Sequence, residues 1–120
     1  WSVGPAEFHS RDGIDRVMAW HQDQVVELPD GAEVLSSSEF CRYAMLGYGD
    51  KALTIQPHPE FTAEFMADLI ACRRDVLPGH IADQAEARLS ANLTSPRFAR
   101  LFEAFFKTTG ARAHAKKNEM

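Results

Sequence analysis

The residues best suited to chemistry lie in a proline-rich segment, QPHPEF, at residues 56–61. Each proline fixes its own φ near about −65° and keeps the residue before it extended. His58 and Glu60 stand two positions apart, so an extended chain presents both side chains on the same side. A carboxylate placed there can accept a hydrogen bond from one ring nitrogen and leave the other free as a base. The sequence therefore predicts that His58 and Glu60 form a base–carboxylate pair within hydrogen-bond reach.

Two other interpretations of the same residues stay open. An isolated His-x-Glu is most often a loop histidine beside a solvated glutamate. The rigid frame and the position between a predicted strand and a predicted helix favour a functional site instead, because α/β folds place their sites there. A metal site is the other alternative, in which the His21-x-Asp23 and His58-x-Glu60 pairs supply two histidines and a carboxylate, as in non-haem iron enzymes on β-barrels. The helical second half of the chain does not suit the small barrel of such enzymes.

The two cysteines, Cys41 and Cys72, do not have the surroundings of a nucleophile. Each has a bulky or charged neighbour, whereas a nucleophile on a sharp strand-to-helix turn needs small ones. Both are predicted to be buried small hydrophobic residues, one in a strand and one in a helix. No CxxC pair or metal-finger spacing is present, and this cysteine usage is typical of a reducing compartment, so we expect a cytoplasmic protein.

The first half of the chain predicts short strands, and the second half predicts helices. Alternating and β-branched residues favour about five strands, at residues 3–9, 16–28, 32–36, 40–48 and 52–56. Turn residues separate them at 11–13, 29–31 and 49–51. The sequence thus predicts an α/β protein whose strands come first.

Helical spacing begins after Pro59. Thr62 is a predicted N-cap, and apolar residues at 65, 66, 69 and 70 form one face of a first helix. A second helix is predicted from Ile81 to Leu93, and a third opens with an N-cap at Ser95 and ends at Gly110. The phenylalanine stripe at residues 98–106 of the third helix is expected to dock on the core.

Length and charge exclude several classes of protein. A chain of 120 residues with 45% hydrophobic and 25% charged residues is typical of one globular domain. The net charge of −4 argues against a nucleic-acid binder, and no apolar run is long enough to cross a membrane. No secretory signal is recognisable at the start. Six of the thirteen basic side chains lie in residues 97–120, which gives the chain a basic tail.

Two stretches closely resemble class I glutamine amidotransferases: WHQDQVVELPDGAEVLSSS at residues 20–38 and YGDKALTIQPHPEF at residues 48–61. The most similar branch is the stand-alone one that resembles the amidotransferase domain of guanosine monophosphate synthetase. The resemblance covers residues 1 to about 75, and the helical tail more loosely. It implies a flavodoxin-like, three-layer α/β/α fold with a largely parallel central sheet, and it implies no cofactor.

The same resemblance implies roles for four residues. His58 corresponds to the general base and Glu60 to the orienting carboxylate of a Cys-His-Glu triad, which releases ammonia from glutamine through a thioester. Trp20 and His21 correspond to the strand segment that lines the glutamine pocket. The family's Gly-x-Cys-x-Gly turn does not occur in this sequence. We therefore expect residues 1–120 to be the C-terminal part of a single amidotransferase domain, inactive without the part that carries the thiol.

The resemblance also implies partners and alternatives. Glutamine is the expected substrate, and the missing N-terminal part is the first expected partner, beside a synthetase domain, another subunit or a second copy of the chain. No nucleic acid and no membrane is expected to bind. Within the family, hydrolysis of γ-glutamyl conjugates is the alternative activity. A non-catalytic interaction fragment, which would use the basic tail and the phenylalanine-rich helix, is the alternative outside it.

Overall fold

In a computed structural model, the chain forms a five-stranded sheet that is followed by three helices. The structure describes residues 1–118, and the side chains of residues 1–107. The strands are β1 (Ser2–Ser10), β2 (Gly13–His21), β3 (Glu33–Ser37), β4 (Met45–Tyr48) and β5 (Ala52–Ile55). The helices are α1 (Ala63–Arg73), α2 (Gly79–Ala87) and α3 (Ser95–Asn118). The predicted order, strands first and helices second, is confirmed.

The five strands pair only in the antiparallel sense, in the order β2-β1-β3-β4-β5. The family resemblance implied a largely parallel central sheet, and the described strands differ from that expectation. The reason lies in the connections. Tight turns join β1 to β2 and β4 to β5, whereas a parallel pair needs a crossover of a dozen or more residues.

Helices cover both faces of the β1–β2 hairpin, which gives three layers. Val17 and Met18 are neighbours in β2, so their side chains point to opposite faces. Met18 belongs to a cluster with α1 and α2, and Val17 belongs to a second cluster with Phe98 of α3. The buried members of the first cluster are Val3, Met18, Met66, Ile70, Leu77, Ala82 and Ala85. Those of the second are Phe8, Val17, Cys41, Ala44, Met45 and Phe98.

Two of the strand predictions are wrong in part. Residues 25–28 do not form a strand; they belong to an exposed loop, in which Val26 is 82% exposed. The predicted strand at residues 40–48 begins only at Met45, and Phe40 lies on the surface. In both places the local preference for extended backbone is real, but no neighbouring strand is there to receive the hydrogen bonds.

The helix predictions succeed at the start of α1 and fail at three other ends. The hydroxyl of Thr62 accepts a hydrogen bond from the N–H of Phe65 at 3.1 Å, as predicted for an N-cap. α2 ends at Ala87 rather than near Leu93, although Leu93 still packs on the first cluster. α3 includes Ser95 itself, which was predicted as its N-cap. α3 also continues past Gly110, because a single glycine in a helix costs only about 1 kcal/mol.

Only the beginning of the phenylalanine stripe is docked. Phe98 is buried and Phe102 packs beside it on the second cluster, whereas Phe106 is 66% exposed. The side chains of the basic residues 112, 116 and 117 lie outside those that the structure describes. Among the described residues, no helix combines the length and the apolar character that a bilayer crossing requires.

The sheet curls so that its two edge strands, β2 and β5, approach one segment. The chain leaves β5 at Gln56, whose N–H donates to the carbonyl of Ala44 at 2.8 Å. Two residues later, the N–H of His58 donates to the carbonyl of Met18 in β2 at 2.7 Å. Residues 56–58, called the seam below, therefore connect the two ends of the curled sheet. The predicted base sits in the seam.

Candidate active site

The predicted contact between His58 and Glu60 is confirmed. Nδ1 of His58 lies 2.7 Å from Oε1 of Glu60. An ionised carboxylate can only accept, so Nδ1 carries the proton in the neutral ring and Nε2 keeps its lone pair. The imidazole is about one third exposed, and no hydrogen bond from another described residue reaches Nε2. The ring is therefore oriented as a base that can take a proton from a group brought to Nε2.

A stacked aromatic ring and the neighbouring backbone also hold the His58 ring in place. The ring stacks on that of Phe61, with centroids 4.2 Å apart and planes 8° from parallel. Its backbone is fixed by the hydrogen bond to Met18 and by the buried Pro57 before it. Phe61 had no role predicted from the sequence, although an aromatic residue three positions after the base was a visible signal. Orientation of the base thus comes from three directions: the carboxylate, the stacked ring and the sheet.

His21 lies at the end of β2, close enough to His58 for their charges to interact. Its Nδ1 is 3.2 Å from the carbonyl oxygen of Asp23, so Nδ1 donates and Nε2 is left as an acceptor. That Nε2 is buried and has no hydrogen-bond partner among the described residues. The ring borders a hollow of about 200 Å³, which is lined by Trp1, Ser2, His21, Gln22, Gln24 and Phe40. His21 therefore borders this hollow and carries a buried, unpartnered acceptor, whereas neither His58 nor Glu60 lines the hollow.

Burial lowers the pKa of His21 below its ordinary value of 6.5. The carbonyl of Asp23 opposes this change, while positive charge on His58 adds to it. The folded state therefore favours the neutral ring, which keeps the Nε2 lone pair available.

Trp20 and His21 are consecutive in β2, so their side chains point to opposite faces. The Trp20 indole packs on the first cluster and meets the ring of Trp1 edge-on, with centroids 5.7 Å apart. Of the two residues that the resemblance assigned to the glutamine pocket, only His21 borders the hollow. Their substrate-binding role stays a prediction.

The lowered pKa of His21 predicts a loss of stability in acid. The unfolded chain binds a proton at this residue more readily than the folded chain, so stability is full above the ordinary value of 6.5 and falls as the pH drops through the lower folded value. We expect His21→Gln to lose less free energy of unfolding than the wild type between about pH 7 and about pH 5. Urea denaturation at the two pH values measures the difference. His80→Gln, at an exposed position of α2, is the matched control, and equal losses in wild type and His21→Gln would contradict the assignment.

Neither cysteine among the described residues contacts His58. Cys41 is buried in the second cluster as predicted, and burial raises the pKa of its thiol. The prediction that Cys72 is buried is wrong, because it lies on the exposed face of α1. The metal alternative also finds no support here, since the described residues hold no group of three or more His, Cys, Asp or Glu side chains placed to bind an ion.

Comparison with known proteins finds relatives by sequence, although no family model matches the chain. γ-Glutamyl peptidase 3 of Arabidopsis thaliana is 33% identical over 75 residues, which cover 61% of this chain and 30% of that peptidase. The glutamine-hydrolyzing GMP synthase of Bordetella parapertussis is 30% identical over 105 residues, which cover 77% of this chain and 20% of that synthase. The chain thus spans about a third or less of the length of the curated relatives it matches.

Solved structures share the fold at 21% sequence identity. The crystal structure of SMU.1228c superposes with a TM-score of 0.59, covering 91% of this chain and 52% of that one. A glutamine amidotransferase from Thermotoga maritima gives a TM-score of 0.52, covering 92% of this chain and 50% of that one. The α/β fold class is confirmed. Together with the sequence relatives, these matches confirm the resemblance to class I glutamine amidotransferases over part of such a domain.

Proposed function

We propose that this chain, a relative of class I glutamine amidotransferases, supplies the base and the orienting carboxylate of a Cys-His-Glu triad that hydrolyses the side-chain amide of glutamine. The observation that carries the proposal is the 2.7 Å contact between Nδ1 of His58 and Oε1 of Glu60, in a ring that Phe61 and the seam hold fixed. The nucleophilic thiol comes from residues outside these 120.

The chemistry follows from the tautomer of His58. Nε2 takes the proton of the incoming thiol, and the thiolate attacks the amide carbon of glutamine. The tetrahedral intermediate collapses when the imidazolium returns its proton to the departing nitrogen, so ammonia leaves and a thioester remains. Nε2 then takes a proton from water, which attacks the thioester and releases glutamate and the free thiol. Glu60 stabilises the imidazolium in both halves of the cycle.

His21 completes the proposed site as a wall of the glutamine pocket. Its unpartnered Nε2 is a buried acceptor, so it suits an N–H donor of the substrate, either the amide or the α-ammonium group, once the ring turns towards the hollow. A buried acceptor without a partner costs about 1–3 kcal/mol, and a bound donor would recover that loss. Trp20 would support this wall from the other face of β2, where it packs on the core.

Hydrolysis of γ-glutamyl conjugates is the second candidate, because the relative with 33% identity is a γ-glutamyl peptidase. The same base and thiol would cleave a γ-glutamyl amide whose leaving group is an amine instead of ammonia. Comparison of kcat/KM for glutamine and for a γ-glutamyl dipeptide distinguishes the two activities. A preference for the dipeptide would assign the protein to the second.

The location of the thiol is a direct test. We expect a glutamine analogue that carries an electrophilic carbon in place of the amide to label one cysteine of the full protein, outside residues 1–120. Cys41 should stay unlabelled because its thiol is buried and its pKa is raised, which lowers the thiolate fraction. Peptide mass spectrometry maps the adduct, and excess glutamine should protect against it. Labelling of Cys41 or of the exposed Cys72 that glutamine prevents would overturn the proposed triad.

A further inference from the structure

The side chain of Gln56 bridges two loops that lie far apart in the sequence. Its Nε2 donates to the carbonyl of Tyr43 at 2.8 Å, and its Oε1 accepts from the N–H of Val25 at 3.2 Å. Its own N–H donates to Ala44, as the first residue of the seam. One residue, two positions before the base, therefore fixes the loop after β2 and the segment before β4 to the same point.

The two side-chain bonds require a carboxamide of this length. The group must donate at one end and accept at the other, and an ionised carboxylate cannot donate. Asparagine is one methylene shorter and cannot span both partners in the same place. Methionine has a similar volume and flexibility but offers no comparable donor or acceptor. The position thus has two informative substitutions, Gln56→Glu and Gln56→Met.

The loop that Gln56 holds is the one that orients His21. Val25 lies two residues beyond Asp23, whose carbonyl accepts the Nδ1–H of His21. All residues from 22 to 31 are exposed, so packing contributes little to the position of this loop. The carboxamide therefore links the loop that carries the His21 contact to the seam that carries His58.

We infer that Gln56 is a positioning residue, which sets the place of His21 relative to His58 and so the width of the proposed substrate pocket. The statement about the pocket rests on the proposed function. The link between the two histidines rests only on the hydrogen bonds described above. Gln56 touches no reacting atom in this scheme. It acts through the loop of Val25 on one side and through the seam on the other.

NMR titration of the histidine rings in the full protein tests the link without any catalysis. We expect Gln56→Met and Gln56→Glu to move the pKa of His21 upward towards 6.5, because a released loop exposes the ring to water. Gln84→Met, at an exposed position of α2, is the matched control and should leave the His21 titration unchanged. A merely structural role for Gln56 would lower the melting temperature and leave that titration where it is, which would overturn the inference.

Kinetics of the full protein tests the consequence for the pocket. We expect KM for glutamine to rise about tenfold in Gln56→Met with a smaller change in kcat, because the pocket wall moves while the His58–Glu60 pair stays intact. An unchanged KM would contradict the positioning role. If the variants of Gln56 fail to fold, Val25→Pro is the substitute. It removes the hydrogen bond between the N–H of residue 25 and Oε1 of Gln56, because proline has no N–H. A shifted His21 titration in a protein that does not hydrolyse glutamine would support the link and refute the proposed function instead.

Discussion

The His58→Ala variant of the full protein should hydrolyse glutamine about 10²–10⁴-fold more slowly than the wild type. The reason is that the variant loses the proposed base, and His21 is not suited to replace it. Glu60, at 2.7 Å, orients the His58 ring and stabilises its imidazolium, whereas Nε2 of His21 is buried and burial lowers the pKa of that ring. Steady-state release of ammonia and glutamate measures the loss.

The same substitution should leave the fold intact. The hydrogen bond from residue 58 to Met18 is made by the backbone, so alanine keeps it. Thermal unfolding followed by circular dichroism checks this point. His80→Ala removes an exposed imidazole of α2 and should keep full activity. Turnover by His58→Ala at the wild-type rate, in a folded protein, would remove His58 from the proposed chemistry.

Gly4→Ala should destabilise the chain by about 2–5 kcal/mol, from two causes that add. Gly4 lies in β1 with φ of +94°, a region that costs residues with a Cβ about 1–2 kcal/mol. A Cβ built there would also lie 3.0 Å from Cβ and 3.1 Å from Cα of Ala85 in α2. Relief of that overlap requires α2 to move away from the sheet, which costs about 1–3 kcal/mol more. Urea denaturation monitored by tryptophan fluorescence measures the total.

Gly31→Ala separates the two causes. Gly31 has φ of +80°, but nothing lies within 4 Å of a Cβ added there. We expect it to lose only the conformational part, about 1–2 kcal/mol. If the two substitutions cost the same free energy of unfolding, the close approach of Ala85 to β1 does not contribute to stability.

The parts of the fold that the sequence predicted well depend on neighbours along the chain. The turn at residues 49–51 and the Thr62 cap are set by residues within four positions of each other, and both are as predicted. The prediction of a strand at residues 25–28 is wrong because strand formation depends on a partner strand, which local preference does not reveal. The position of β3 beside β1 in the sheet is likewise a product of long-range pairing.

The candidate site divides in the same way. The contact between His58 and Glu60 follows from two prolines and a spacing of two, so the sequence was sufficient. The bridge that Gln56 makes to Tyr43 and Val25 spans 13 and 31 residues, and nothing local indicates it. The hydrogen bond from His58 to Met18 joins residues 40 positions apart and depends on the curl of the sheet, which no pattern of residue types predicts.

The seam couples the closure of the sheet to the position of the proposed base. The peptide group that joins the ends of the curled sheet belongs to the residue whose imidazole would serve the chemistry. Any fluctuation that separates β2 from the seam breaks the hydrogen bond between His58 and Met18. It also displaces the His58 ring from the position that the proposed chemistry requires. Heat inactivation should therefore occur at the same temperature as unfolding of the strands. A ligand that binds the imidazole would raise that temperature.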